Sequence, residues 1–308
     1  MASRPEKLLL LDTASLYFRA FYGVPDKVKA DDGTSVNAVR GLLDIIAKLV
    51  TTYEPTRLVA CWDDDWRPGW RVDLLPTYKA HRVVQTVDGA PDVEEVPPAL
   101  TAQIPLIRET LETLGISIVG AADHEADDVI GTLATHADAP VDIVTGDRDL
   151  FQLVDDERAV RVIYTARGMS NLEIIDDAAV QARYGIRASQ YADFAALRGD
   201  PSDGLPGVPG IGEKSAAALL AASGDLDGIR AAAADGTAGT PAQRAKILAA
   251  GEYLDVAPTV VRVARDLDLV PTDDRILVDD ARAEAAAKLA ERWNLGTSMT
   301  RAVAALRR

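Results

Sequence analysis

Nine acidic residues fall where they could act together. Asp12, Asp63 and Asp147 each close a short apolar run, and Glu125, Asp127 and Asp128 cluster at the expected start of a helix. Asp149 follows Asp147 by two residues, and Asp200 and Asp203 introduce a Gly/Pro-rich loop. If the apolar runs are parallel strands, their carboxyl ends form the ligand-binding edge of the sheet. Glu125 and Asp128 share a helix face, and Asp127 is rotated away, yet in a first turn all three can lean towards one edge. Singly, each acid has an ordinary explanation as a cap, a turn former or a charge favoured at a helix N-terminus. Gathered at one edge, they repel each other unless cations intervene. Oxygen donors without Cys or His suit Mg²⁺ or Mn²⁺. Two such ions about 4 Å apart can activate a water and stabilise the leaving oxygen of a phosphodiester.

The most specific string is Leu205-Pro206-Gly207-Val208-Pro209-Gly210-Ile211-Gly212-Glu213-Lys214-Ser215-Ala216. A P-loop would need Lys directly after the last Gly, but Glu213 precedes Lys214 and Ser215, and no apolar strand leads in. A helix–hairpin–helix pattern is matched at Val208, Gly210, Ile211, Gly212 and Ala216. Glycines let a backbone approach a phosphate, and the following helix N-terminus offers unpaired N–H groups to it. Lys214 in that first turn opposes the helix dipole, which a local anion would rationalise. A tight loop between two helices is the plain alternative. Backbone phosphate contacts position a duplex without reading its sequence.

The elements that must position these residues follow from periodicity. Lys7 to Leu11, Arg57 to Trp62, Ile116 to Val119 and Val141 to Thr145 read as strands. Arg158 to Tyr164 reads as a later strand, paired with Leu172 to Ile175 through a turn around Gly168. Val36, Val39, Leu42, Leu43, Ile46, Leu49 and Val50 recur at helical spacing, with Ser35 as N-cap. Leu100 to Leu114 reads as one amphipathic helix, and another opens near Glu125. This alternation predicts an α/β fold with a mainly parallel sheet flanked by helices over residues 1–175. Residues 176–308 turn Ala-rich with Gly and Pro punctuation, as a mainly helical lobe. Arg67 to Pro98 has no clear period, and a loop of that length inside a compact domain usually has a function or is disordered.

Composition bounds the function. The chain has 308 residues, 48% of them hydrophobic, ample for a core. A formal charge of −15 argues against diffuse coating of nucleic acid or anionic membrane, though not against a local basic surface. The nine candidate site acids account for more than half of it. Cys61 alone excludes a disulfide framework or cysteine-built zinc site, and three histidines make a histidine-rich centre improbable. Leu8 to Leu11 is too short for a signal peptide or membrane span. A cytoplasmic, monomeric protein without membrane contact is expected.

Taken together, these residues resemble the bacterial 5′-nuclease family, relatives of the N-terminal 5′–3′ exonuclease domain of DNA polymerase I that include stand-alone flap endonucleases. The likeness runs from Leu8-Leu9-Leu10-Leu11-Asp12 into the helical lobe. It is strongest at Tyr78-Lys79-Ala80-His81-Arg82, Glu125-Ala126-Asp127-Asp128, Thr145-Gly146-Asp147-Arg148-Asp149 and Gly199-Asp200-Pro201-Ser202-Asp203. With no polymerase region after Arg308, the stand-alone form is expected. The resemblance implies a PIN-like core, a helical arch at about 67–98, and a lobe whose helix–hairpin–helix (about 199–222) grips duplex DNA. It assigns all nine acids to a site for two or more Mg²⁺ or Mn²⁺ ions, some through water. It gives Lys79, Arg82 and Arg19 to the scissile phosphate and its flanks. DNA contact is implied for Tyr78, Gly207, Val208, Gly210, Ile211, Gly212, Lys214 and Ser215, with K⁺ at the hairpin.

The implied activity is metal-dependent hydrolysis of branched or 5′-flapped DNA near a single-strand–duplex junction, in replication and repair, leaving a 3′-hydroxyl and a 5′-phosphate. A non-catalytic junction-binding protein and a metal-dependent ribonuclease are the alternatives. Val83 to Pro98, with Asp88, Asp92, Glu94 and Glu95, is longer and more acidic than the family's usual connection, which bears on the arch's shape. Trp66 and Trp70 could stack on unpaired bases or anchor the arch base in the core.

Overall fold

The computed structural model describes residues 5–86 and 92–307; Asp88 and Arg308 lie outside them. Strand β1 (Leu8–Asp12) is buried throughout. Its side chains alternate: Leu8 and Leu10 enter one core, Leu9 and Leu11 the other. Beside it stand β2 (Arg57–Cys61), then β5 (Ser117–Val119), and on the other flank β6 (Val141–Thr145), β7 (Val160–Tyr164) and β8 (Glu173–Ile175). The order is β5-β2-β1-β6-β7-β8, parallel except for the antiparallel β7–β8 pair. The sequence direction of the sheet reverses between β1 and β6. The crevice outside such a switch point is where open α/β sheets bind ligands.

One face carries α1 (Thr13–Gly23), α2 (Asn37–Tyr53) and α5 (Ile104–Thr113), and the other α6 (Ala126–His136) and the helical lobe. The helix expected over 100–114 is two: α4 (Pro98–Thr101) ends before α5 begins, with Pro105 in the first turn of α5. Proline lacks the N–H that would continue the earlier helix and favours a new start. Ser35 does not cap α2; its hydroxyl donates to Asp26 and accepts from Lys29. The cap comes from Gln103, fully buried between α4 and α5, whose Oε1 accepts from Ala38 N (2.8 Å) and Val39 N (3.4 Å). Its amide nitrogen donates to Asn37 Oδ1 and Ala99 O.

The arch segment is helical only in part. It holds α3 (Gly69–Leu74), a 3₁₀ turn (Ala80–Arg82) and an antiparallel hairpin of β3 (Val83–Gln85) with β4 (Val93–Glu94). The acidic stretch 83–98 thus supplies the hairpin. Arg67 holds its two ends together, donating to Tyr78 O and Pro76 O and pairing with Asp92.

The lobe is helical as expected: α7 (Asp177–Tyr184), α8 (Tyr191–Arg198), α9 (Glu213–Ser223), α10 (Leu226–Ala234), α11 (Pro241–Ala249) and α12 (Gly251–Val261). The last two helices leave it. α13 (Asp280–Arg292) and α14 (Gly296–Leu306) pack on α5 and α2, so the sequence change at 175–176 does not divide the packing. No helix among the described residues is long and apolar enough to cross a membrane.

Gln103→Met should lower stability by about 1–3 kcal/mol, because it uncaps α2 and leaves buried polar groups unpaired. Urea unfolding checks this; an unchanged midpoint would mean the cap is idle.

Candidate active site

Asp12 ends β1, and Asp63 and Asp147 lie two residues past β2 and β6, so parallel pairing brings all three to one edge. Asp12 caps α1, accepting from Ser15 N (3.1 Å) and from Thr145 Oγ1 (2.6 Å). Asp63 accepts from Ala126 N (2.8 Å) at the start of α6. These three, Glu125 and Asp127 line a cavity of about 490 Å³ with Lys79 and Arg82 on its wall. Asp149 lies deeper: Asp147 Oδ1 accepts from its backbone N–H (2.8 Å), while its own Oδ1 is buried without a hydrogen-bond partner. Asp200 and Asp203 border the site from the loop after α8. Asp200 already accepts from Arg148, Arg198 and Ser202, and Asp203 from Arg82.

Asp128 is not brought to the cavity. It is fully buried behind Glu125 and grips Arg71 with both oxygens (2.7 and 2.8 Å). Helical spacing put it on the face of Glu125, but the sequence carried no sign that Arg71 would claim it. Tyr78, expected at a DNA surface, is buried; its hydroxyl donates to Glu125 (2.9 Å) and supports the site from within.

The arch is strapped onto the acids. Lys79, at φ +46°, reaches Glu125 Oε1 (3.0 Å), and its backbone N–H donates to Asp203 O (3.0 Å). Arg82 donates to Ser202 O (2.9 Å), and Thr77 Oγ1 to Gly204 O (2.8 Å). Gly204, at φ +74°, leaves no room for a side chain: a Cβ would meet Thr77 O at 2.0 Å. Glu94, from the acidic hairpin, also lines the cavity. Trp66 and Trp70 donate to Asp92 O and Asp123 O, so both indoles anchor the arch base. Arg19 lies beside Gly146, where an added Cβ would come within 3.3 Å of its Nη2, and its buried Nε has no partner. It lines a second, adjoining trough of about 880 Å³ with Phe18, Tyr22, Lys48 and Met169.

The Gly/Pro loop links α8 to α9 as a hairpin. Val208 and Ile211 are 2% exposed and form its core, so their side chains face the protein rather than a DNA surface. Gly207 and Gly210 have φ of +68° and +75°. No side chain caps α9 at Gly212, and Lys214 is exposed in its first turn beside half-buried Ser215. Lys246 of α11, which sequence reading passed over, reaches across Gly210: a Cβ there would meet its Nζ at 2.3 Å. Only packing of α11 reveals this.

Two family models match in tandem: the 5′–3′ exonuclease N-terminal resolvase-like domain over residues 7–185, and the 5′–3′ exonuclease C-terminal SAM fold over residues 186–284. The chain belongs to the 5′–3′ exonuclease family. It is 58% identical over 299 residues to a 5′–3′ exonuclease of Streptomyces coelicolor, covering 97% of this chain and 99% of that protein. It is 50% identical over 309 residues to one of Mycobacterium tuberculosis, covering 97% of each. Among solved structures, a bacteriophage T5 flap endonuclease, in a pseudo-enzyme–product complex with DNA and metal ions, superposes with a TM-score of 0.63. Its identity is 18%, over 98% of this chain and 99% of that one, and it shares the fold.

In this member of the family, burial pushes the site acids up, and their neighbours add to it. Asp12 is pushed up to about 7 by burial, with Asp63 and Asp147 adding to it against hydrogen bonds from Thr145 and Ser15. Glu125 is pushed up to about 7 by burial, against the pull of Lys79 and Arg71. Asp63, Asp127, Asp147 and Asp149 shift upward from the same leading cause, and all four are raised further by neighbouring carboxylates. Burial favours a neutral Lys79, but Glu125 and adjacent groups hold its pKa well above the ordinary amine range. The donors are hard oxygens, and Asp149 Oδ1 is buried with no hydrogen-bond partner on the chain, so the set fits a hard divalent ion. Among the described residues no three such side chains form a ready-made metal cluster.

An acid whose folded pKa is raised stabilises the fold relative to its unfolded value only at low pH. That advantage is lost as pH rises from about 4 towards 7. The metal-free protein should therefore melt lower at pH 8 than at pH 5, and Asp127→Asn should melt above the parent at pH 8. Calorimetric scans in chelator check this; a variant that melts lower would contradict the repulsion. For Lys246→Ala, weaker duplex binding and a salt dependence shallower by about one counterion are expected. Titration at several salt concentrations reads both, and an unchanged slope would place Lys246 off the DNA path.

Proposed function

We propose that the chain is a structure-specific 5′ nuclease, a 5′–3′ exonuclease and 5′-flap endonuclease acting on branched or flapped DNA in replication and repair. The observation that carries this reading is the cavity where Asp12, Asp63, Glu125, Asp127 and Asp147 face Lys79 and Arg82. The T5 relative, solved with DNA and metal ions, supports it through a shared fold. Asp12, Asp63, Glu125, Asp127, Asp147 and Asp149 would hold two or more Mg²⁺ or Mn²⁺ ions, with Asp200 and Asp203 bordering them. Such ions would supply Lewis-acid activation of a water and positive charge for the leaving oxygen.

The chain's own residues do the rest. Lys79 stays charged at the cavity wall and offsets negative charge on the phosphate as it develops. In the DNA-free chain Glu125 is its partner, so an incoming phosphate competes for the same ammonium. Arg82 and Arg19 flank that position and orient the strand, Arg with its planar fork of donors. The hairpin from Gly207 to Gly212, with Lys214, Ser215 and Lys246, clamps duplex phosphates through backbone N–H groups and point charges. Residues 1–175 carry the chemistry in this reading, and the lobe within 176–308 carries the grip.

A 5′-flapped duplex with Mg²⁺ should be cut by the parent and not in chelator or by Asp147→Ala; cleavage in either control sinks the metal-acid assignment. DNA, RNA and RNA–DNA flaps run side by side separate this reading from a ribonuclease. Lys79→Ala should lower kcat by about 10²–10³-fold with KM little changed. Equal losses in binding and rate would make Lys79 a uniform phosphate contact.

A further inference from the structure

We propose that Arg71 and Asp128 form a positioning pair that sets Glu125 and the arch in register, and that Asp128 serves this pair instead of a metal ion. The inference rests on the reading of the adjoining cavity as the hydrolytic site.

Arg71 leaves α3 at the base of the arch and is 2% exposed. Its guanidinium meets acceptors from two distant parts of the chain, the start of α6 and the end of α12. Nη1 and Nη2 donate to the two oxygens of Asp128 (2.8 and 2.7 Å). Nε donates to Val260 O (3.0 Å), and Nη2 also approaches Arg262 O (3.4 Å) at the end of α12. Nη1 lies 3.5 Å from Glu125 Oε2. The Trp70 ring, centred 4.4 Å away, covers the group. Four of the fork's five N–H donors are thereby hydrogen-bonded to oxygen, and Nη1 also forms an ion pair with Glu125.

Asp128 is equally spent. Oδ1 accepts from Arg71 and from Ala264 N (2.8 Å), and Oδ2 from Arg71 and from Glu125 N (3.2 Å). A carboxylate offers about four lone-pair sites, so no acceptor remains for an ion. The pair therefore fixes the backbone of Glu125 through Asp128 and its side chain through Arg71. The same Glu125 carboxylate accepts from Tyr78 and Lys79 on the arch. Arch base, α6 and the end of α12 are locked together at one point. A lysine at 71 would keep the charge but could not span these acceptors.

The test uses the full chain with Arg71→Lys, Asp128→Asn and both together. Each single change should lower kcat on a 5′-flapped duplex by about 10–100-fold, the cost of misplacing a reacting group, with KM within about threefold. The double variant should be no worse than the worse single one, as expected for one shared interaction. Without metal or DNA, protease cleavage within the arch should quicken by roughly tenfold in Arg71→Lys, because the arch base loses its tie. In Mn²⁺ calorimetry without DNA, Asp128→Asn should bind as many ions as the parent, and Asp147→Ala fewer. Loss of an ion in Asp128→Asn would make Asp128 a ligand and overturn the proposal. Parent-like kcat and proteolysis in Arg71→Lys would overturn it too, as would additive losses in the double variant. If the parent neither bound Mn²⁺ nor cut DNA, the hydrolytic reading would fall, while the protease arm would still decide whether Arg71 holds the arch.

Discussion

Six carboxylates, Asp12, Asp63, Glu125, Asp127, Asp147 and Asp149, crowd the carboxyl edge of a parallel sheet, and burial makes each costly to ionise. Coulomb repulsion among several of them adds to that cost and falls off slowly in a poorly solvated cleft. The surroundings are arranged to offset it. Helix α6 directs its first N–H at Asp63, Thr145 donates to Asp12, and Lys79 sits against Glu125. At Asp149 Oδ1 no group on the chain completes the set, which leaves that oxygen free for a cation.

The same repulsion explains why the arch folds onto the site rather than standing away from it. Lys79, Arg82 and Thr77 are fastened to Glu125 and to the 200–204 loop, and Gly204 exists to let the two backbones touch. The acidic hairpin adds Glu94 to the cavity wall, facing the basic groups that a phosphate would seek. Substrate therefore enters a site whose cations are already partnered. On the proposed reading, diffuse phosphate binding is too weak to displace these contacts in a chain of net charge −15.

Much of this was legible in the sequence, for identifiable reasons. Leu8–Asp12 is a continuous apolar run ended by an acid, and Val141–Thr145, apolar apart from Asp142 and Thr145, leads through Gly146 to Asp147; that pattern marks both strand and site edge. The hairpin was readable because its glycines are required by positive φ at Gly207 and Gly210. What escaped was held by partners distant in sequence. Gln103 caps a helix 65 residues earlier, Arg71 withdraws Asp128 from the acid set, and Lys246 reaches Gly210 from another helix. Periodicity carries no information about such pairings. The start of a new helix at Pro105, by contrast, has a local signal in the sequence, since proline favours the first turn.

The central claim is that the acid edge is a divalent-cation site from which Asp128 is excluded. Anomalous scattering from crystals equilibrated with Mn²⁺ tests it most directly. The account predicts peaks in the cavity bounded by Asp12, Asp63, Glu125, Asp127 and Asp147, and none against Asp128. An empty cavity, or an ion seated on Asp128, would contradict it.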